Sequence, residues 1–509
     1  MQDGFNSTKF GLLVKDVKYA LGTQINSTNN LVLVDALQRM GVEHHFQQEI
    51  QSILQKEYEQ SACFYKYQNH HDISLCFRLL RQEGYHVSAD VFKKFKNNDD
   101  GTFGLNLSQD VNGLIDLYEA SQLGVEGEHI LDEVANYSGE HLNACLANSD
   151  SCDEARIIKE TLKYPYHKSL ASCKAKSFIN NFKGINGWGR STLQELANMD
   201  YSITKEIHQH ELAQVSSLGL AEELKLLRDQ PLKWYTWSMA VLQDPRMSQQ
   251  RIELAKCISF VYVIDDIFDV YGTIEELTLF TQAVNRWELS AMVDLPEYMR
   301  SPYKALYNTI NSVGYNIYKI YGQNPTQNLR NTWGNLCNAF LKEAKWFASG
   351  VVPSTNEYLK NGLVSSGVQA VLVHMFYLLG LGVSSIHLED VSAISSSVAT
   401  ILRLWDDLGS AKDENQEGKD GSYIECYMKE NKDASIELAR EHVIKLIEDE
   451  WKKLNKEHLH LMSPSSRSFS KASLNSARMV PLMYSYDDNQ SLPILQEYIK
   501  SMLYGDLSM

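Results

Sequence analysis

Asp265, Asp266 and Asp269 are the residues of this chain best suited to chemistry. They stand in Ile264-Asp265-Asp266-Ile267-Phe268-Asp269, at the end of a mostly apolar run, Cys257 to Ile264. On an α-helix, residues four apart share a face, so Asp265 and Asp269 would present their carboxylates together. Bare carboxylates that close repel and resist ionising. A hard cation relieves the repulsion, and Mg²⁺ takes oxygen ligands of this kind, often shared with substrate phosphates. A second oxygen-rich face follows downstream. Asp406, Ser410 and Glu414 have i, i+4, i+8 spacing within Asp406-Asp407-Leu408-Gly409-Ser410-Ala411-Lys412-Asp413-Glu414. One acidic helix face is ordinarily just solvated. Two of them, each behind an apolar stretch (Ala255–Ile264 and Val398–Trp405), suit facing walls that hold several Mg²⁺ and a diphosphate between them.

Helices must position these faces. Leu33, Ala36, Leu37 and Met40 have i, i+3, i+4, i+7 spacing and lead into Gln47–Tyr58. Similar patterns follow at Leu114-Leu117-Tyr118, His129–Ala135 and Ala155–Lys163. No sustained alternation typical of strands appears, and hairpin signals are few. The reading is all-α. Ser191 after the Gly-rich stretch Lys183–Arg190 is the expected N-cap of a helix over Ser191–Met199. A chain of 509 residues predicts two or more domains. The boundary is placed between Leu196 and Leu227, giving domains 1–205 and 206–509.

Composition narrows the function. Hydrophobic residues are 44% and aromatic residues 10%, as a globular protein with an aromatic-lined pocket requires. A net charge of −16 speaks against nucleic acid or an anionic membrane surface as partner. It also means that local cations must reverse the field wherever an anionic substrate binds. The eight cysteines are scattered, with no CxxC pair and no metal-like Cys/His spacing, which reads as reduced thiols. No apolar run reaches the ~18 residues of a membrane span. Met1-Gln2-Asp3-Gly4-Phe5 is neither a secretory signal nor an Arg/Ser-rich transit peptide. The expected location is cytoplasmic, or the plastid if such a peptide has been removed.

From about Leu31 to the C-terminus the chain resembles the plant class I terpene synthases. The resemblance rests on both acidic segments, which match the family's DDxxD and (N/D)Dxx(S/T)xxxE motifs in order. Leu227-Arg228-Asp229-Gln230, Trp287, Glu343-Ala344-Lys345-Trp346-Phe347 and Ala477-Arg478-Met479-Val480 agree with it. More narrowly, Arg228-Asp229-Gln230-Pro231-Leu232-Lys233-Trp234-Tyr235-Thr236-Trp237 and Tyr484-Ser485-Tyr486-Asp487-Asp488-Asn489 resemble linalool and nerolidol synthases, which release acyclic alcohols. The resemblance implies a barrel-like helical N-terminal domain and a catalytic C-terminal helical bundle with a pocket at one end. It implies three Mg²⁺, with Mn²⁺ able to substitute, held by Asp265, Asp266 and Asp269 on one wall and Asp406, Ser410 and Glu414 on the other. Geranyl or farnesyl diphosphate is the implied substrate, and a monomer the implied state.

Class I chemistry begins with loss of diphosphate to leave an allyl cation, which preorganised positive charge assists. Guanidinium groups match phosphate oxygens bidentately, so Arg228 and Arg403 are the expected diphosphate contacts, with Lys419 a third on a loop able to close. Trp237, Tyr271 and Tyr484 are the expected pocket aromatics, because an aromatic face attracts a cation. Ser365-Ser366-Gly367, inside the apolar run Leu359–Leu381, is expected to break its helix beside the pocket. The chain departs from the family in three places. The N-terminal RRx8W motif is missing, which favours acyclic products. Gln230 stands where many relatives carry Arg. Val215–Leu220 is about four residues short.

Other classes fit worse. Without DxDD, the reaction is not a protonation-initiated cyclisation. Chain-elongating prenyltransferases use DDxxD twice, not DDxxSxxxE. There is no Walker A loop and no GxSxG elbow. A cyclising or olefin-forming synthase is the alternative within the family. A non-catalytic helical binding protein would leave both acidic faces and Arg403 idle.

Overall fold

The computed structural model describes the chain except residues 1, 24–26, 61–66, 68, 98–101, 105–109, 149–151, 186–188, 218–229, 414–420, 462–463, 488–490 and 506–509. For residues 2–7, 27, 152, 410–413 and 464–465 only the backbone is described. The described elements are helices joined by turns, with an isolated bridge between Lys96 and Phe103. None of those helices is long and apolar enough to cross a membrane.

The chain divides into two compact units, Met1–Glu206 with Lys500–Met509, and Ile207–Ile499. The first unit holds α1 (Gln2–Thr23), α2 (Ser27–Arg39), α3 (Gln47–Glu59), α4 (His70–Gln82) and α5 (Val111–Ser121). It continues with α6 (His129–Asn148), α7 (Cys152–Lys163), α8 (Ala171–Asn181) and the start of α9 (Arg190–Ser216). Its core gathers the apolar faces of these helices, with Leu33, Leu37, Phe46, Phe77, Phe92 and Leu193 fully buried. Each such side chain contributes about 1.5–3 kcal/mol. α9 begins one residue before the expected cap. Leu193 N–H donates to the Gly189 carbonyl at 2.8 Å, so Ser191 lies inside the first turn instead of capping it.

The second unit holds α10 (Pro231–Val241), α11 (Ser248–Asp266), α12 (Ile274–Arg286), α13 (Glu297–Tyr321), α14 (Thr326–Ser349) and α15 (Thr355–Ser365). After these come α16 (Val368–Leu378), α17 (Ser392–Asp413), α18 (Tyr423–Glu430), α19 (Ile436–His460), α20 (Pro464–Tyr484) and α21 (Pro493–Ile499). α11 packs on α10 and α16, and α17 on α15, α19 and α20. Two devices fix α10 and α11. Pro231 opens α10, where its missing N–H costs nothing. Arg251 on α11 is fully buried and bonds both Glu211 carboxylate oxygens, at 2.7 and 2.8 Å, and the carbonyls of Leu242, Asp244 and Pro245. Burial opposes the Glu211 charge, but Arg251 and His208 outweigh it and hold the carboxyl at about 2.

Candidate active site

The second half of α11 is mostly apolar, with Ala255, Cys257, Phe260, Val263 and Ile264 buried, and this pins its C-terminal end inside the second unit. The helix stops at Asp266. Ile267–Tyr271 then forms one π-helical turn, closed by Gly272 N–H to the Ile267 carbonyl at 3.0 Å. Such wide single turns recur at functional sites. Asp265 therefore stands on the last α-helical turn and Asp269 on the π-helical one. Asp265 lines a cavity, Asp266 is buried, and Asp269, outside the lining, is exposed. The same turn carries Tyr271 outward. It is 41% exposed and does not line the cavity, contrary to its expected place as a pocket aromatic.

The cavity measures about 270 Å³, just below the roughly 300–1,000 Å³ usual for small-molecule sites. Part of its lining is apolar, with Ile258, Val261, Val371 and Leu402 among its side chains. Trp237 and Tyr484 line it, and Trp237 Nε1–H donates to the Tyr262 hydroxyl at 2.9 Å. Ser365, Ser366 and Gly367 line it where the run over 355–378 is broken into α15 and α16. Gly367 has φ +73°, and a Cβ there would meet Val261 Cγ1 at 2.4 Å. Only glycine allows both that backbone and the close approach of α11.

α17 supplies the other wall. Asp406 and Arg403 line the cavity. Ser410 lies on the same helix with only its backbone described, and Glu414, Lys419 and Arg228 lie outside the described residues. Arg403 is held firmly. Its Nε donates to the Tyr358 hydroxyl at 2.8 Å and stands 3.5 Å from Asp407 Oδ1, while Nη1 is 3.7 Å from Asp406. The Tyr358 hydroxyl in turn donates to Asp407 Oδ1 at 2.8 Å, and Tyr423 N–H donates to Asp407 Oδ2 at 3.0 Å. Gly362 leaves room for the arginine stem, since a Cβ would sit 3.0 Å from Arg403 Cγ.

The electrostatics are strained. Partial burial raises the Asp269 carboxyl, helped by Glu343, Asp266 and Asp406 and opposed by Arg403. Burial raises Asp406, Glu343 adds to it, and Arg403 and Lys233 oppose it. Burial also pushes Asp407 up to about 7, against Arg403, Tyr423 and Tyr358. Arg403 moves the other way. Burial opposes its charge, yet Tyr358, Asp407, Glu343 and Asp406 together hold it well above its ordinary range. An all-oxygen donor set whose members suppress one another's ionisation fits a hard divalent cation.

Several residues at this site escaped the sequence reading. Glu343 accepts from Asn361 Nδ2 at 3.0 Å and Ser365 Oγ at 2.7 Å and acts on both walls. Lys233 lines the cavity with its ammonium 5.3 Å from the Tyr262 ring centroid. Tyr262, Tyr358 and Asp407 complete the set. One signal was available: Lys233 follows Gln230 by one helical turn, in the segment already singled out.

Comparison with known proteins agrees with this geometry. Residues 216–453 match the terpene synthase family metal binding domain, and residues 6–163 match the terpene synthase N-terminal domain. A probable terpene synthase of Ricinus communis is 53% identical over 489 residues, covering 94% of this chain and 85% of its own. A chloroplastic tricyclene synthase of Antirrhinum majus is 50% identical, covering 93% and 83%. An (E)-nerolidol synthase of Cannabis sativa is 49% identical, covering 93% and 88%. Isoprene synthase from grey poplar leaves (Populus x canescens), solved in complex with three Mg²⁺ ions and dimethylallyl-S-thiolodiphosphate, superposes with a TM-score of 0.89 at 33% identity, over 99% of this chain and 97% of that chain. With both domains matched and relatives this similar along nearly its whole length, the chain belongs to the terpene synthase family, lyases that release diphosphate.

Proposed function

We propose that this chain ionises geranyl and farnesyl diphosphate with Mg²⁺ and that water captures the allyl cation at its third carbon, giving linalool and nerolidol. The observation that carries this reading is one cavity with Asp265, Asp406 and Arg403 among its lining and Trp237 and Tyr484 within it. Asp265, Asp266 and Asp269 would hold Mg²⁺ on one wall, and Asp406, Ser410 and Glu414 on the other. Bound there, three ions, the number in the grey poplar enzyme, would neutralise diphosphate oxygens and stabilise them as the leaving group.

The chain's own residues do the rest. Arg403 grips a diphosphate oxygen, fixed in place by Tyr358 and Asp407. Arg228 and Lys419 add two further cations, and Lys233 beside Asp406 another. These local charges answer the chain's net charge of −16. The faces of Trp237 and Tyr484 attract the allyl cation, and the apolar wall excludes bulk water from all but its reacting end. Gln230 at the cavity is neutral, so the departed diphosphate is held less tightly than by a guanidinium. Cyclisation of a trans allyl substrate needs the diphosphate to recombine at the third carbon before rotation. A loosely held diphosphate favours capture by water instead. A difference of about 1.4 kcal/mol between the two barriers is about tenfold in product ratio.

A second reading is favoured by the Antirrhinum majus tricyclene synthases, which match this chain as closely as the nerolidol synthase does. On that reading the same site cyclises geranyl diphosphate. In either case the chain acts as a monomer, and the compartment it occupies sets which substrate it meets. The reaction class is tested by diphosphate release from geranyl diphosphate after chelator treatment and again after Mg²⁺ is restored. Release confined to the Mg²⁺ arm is expected. Equal release without metal, or none in either arm, overturns the proposal.

A further inference from the structure

A second cluster of ligand-type side chains lies in the first unit, whereas the cavity described above belongs to the second. His44 and His45 close a 3₁₀ turn, Glu43–His45, between α2 and α3. Side chains of adjacent residues ordinarily diverge. Here the two imidazole rings lie 4.0 Å apart between centroids, tilted by 46°. Both reach the same oxygen of Asp200 on α9. His44 Nε2 is 3.3 Å and His45 Nε2 2.6 Å from Asp200 Oδ1. The three donor atoms all lie within 4.8 Å of one another. The setting is largely enclosed, with side-chain exposures of 10%, 24% and 10% for His44, His45 and Asp200. Phe10 meets the His45 ring edge-on at 5.2 Å, and Phe46 is fully buried beside it.

We propose that His44, His45 and Asp200 form a binding site for a late first-row divalent cation of the zinc type, clasping the turn after α2 to α9. Two imidazoles and a carboxylate are the donor set of three-ligand zinc sites, which keep a fourth position for water. Imidazole selects zinc, cobalt or nickel over Mg²⁺, so this site differs in kind from the all-oxygen set of the second unit. The distances suit it. Ligand bonds of about 2.0–2.2 Å put tetrahedral donors roughly 3.3 Å apart. His44 and Asp200 already stand at 3.3 Å. His45 and Asp200 need open by only about 0.7 Å from their 2.6 Å hydrogen bond. The bound ion draws together the end of one helical hairpin and the long helix behind it, so it stabilises the folded chain by mass action.

The test uses the full chain, stripped with chelator, incubated with Zn²⁺ under a large excess of Mg²⁺ and desalted. Metal content and the visible spectrum of the Co²⁺ form are then read for wild type, His44→Gln and Asp200→Asn. The proposal expects about one zinc retained per wild-type chain and an intense tetrahedral cobalt band. Both should fall about tenfold in each variant, while Mg²⁺-dependent turnover of His44→Gln stays unchanged. Less than about half an equivalent of zinc in wild type overturns the proposal, as does equal retention in wild type and His44→Gln. Should either variant fail to fold, the wild-type cobalt spectrum decides alone, because a weak octahedral band is what oxygen-only binding gives.

Discussion

Tyr358→Phe removes one oxygen atom and little else. The hydroxyl is buried, donates to Asp407 Oδ1 at 2.8 Å and accepts from Arg403 Nε at 2.8 Å. The ring stays, so the guanidinium keeps its contact 5.2 Å from the ring centroid. Hydrogen bonds with a charged partner contribute about 1.5–3 kcal/mol each, which puts the gross loss at about 3–6 kcal/mol. Arg403 Nε already stands 3.5 Å from Asp407 Oδ1 and can close part of that gap. Asp407 also keeps its bond from Tyr423 N–H. The net destabilisation should therefore be about 2–4 kcal/mol. At roughly 2–4 °C per kcal/mol for a unit of this size, the thermal midpoint should drop by about 5–10 °C. Arg403 loses its main restraint as well, so kcat should fall on the order of tenfold with a smaller change in KM. Scanning calorimetry and steady-state kinetics on the purified variant measure both. A midpoint within about 2 °C of wild type would show that the hydroxyl does not hold the Arg403–Asp407 pair.

Other perturbations separate ligand carboxylates from structural groups. Asp269→Ala should lower turnover by at least about a hundredfold yet leave the thermal midpoint unchanged or raised, because desolvation, then Glu343, Asp266 and Asp406, disfavour its charge against Arg403; a clear loss of stability would contradict that. Lys233→Gln should raise KM for the diphosphate substrate about tenfold and Lys233→Arg should restore most of it, whereas equal KM values would remove Lys233 from the anion site. His374 is buried, and desolvation lowers its imidazole to about 4, against a hydrogen bond to the Ala370 carbonyl. A depressed folded value means the neutral form is favoured, so this stability is full above about 6.5 and lost as pH falls through about 4, up to about 3 kcal/mol. Thermal midpoints from pH 7 to 4 should accordingly fall less steeply for His374→Gln than for wild type, and parallel curves would contradict the assignment.

Helical periodicity sufficed for the all-α fold, because apolar spacing reports directly which face is buried. The ends of elements were less legible. Ser191 has the residue type of a cap, but the chain enters α9 through Gly189 at φ +77°, and the helix therefore starts earlier. The π-helical turn at Ile267–Tyr271 left no trace in residue types. It carries Tyr271, which is exposed to solvent. Motif residues could be found because their spacing is local. Glu343 and Tyr358 could not, since they arrive from α14 and α15 and acquire a role only when packing brings them to Arg403 and Asp406, and Lys233 offered only its place one turn after Gln230. The break at Ser366–Gly367 was legible because glycine after two serines interrupts an apolar helix for local reasons.

The most direct measurement is identification of volatile products, by gas chromatography with mass detection, from the purified chain with Mg²⁺ and each substrate separately. Linalool should dominate from geranyl diphosphate and nerolidol from farnesyl diphosphate, and both should vanish with chelator. Dominance of cyclic products from geranyl diphosphate would contradict capture by water at the third carbon. No terpene from either substrate would contradict the ionising site itself.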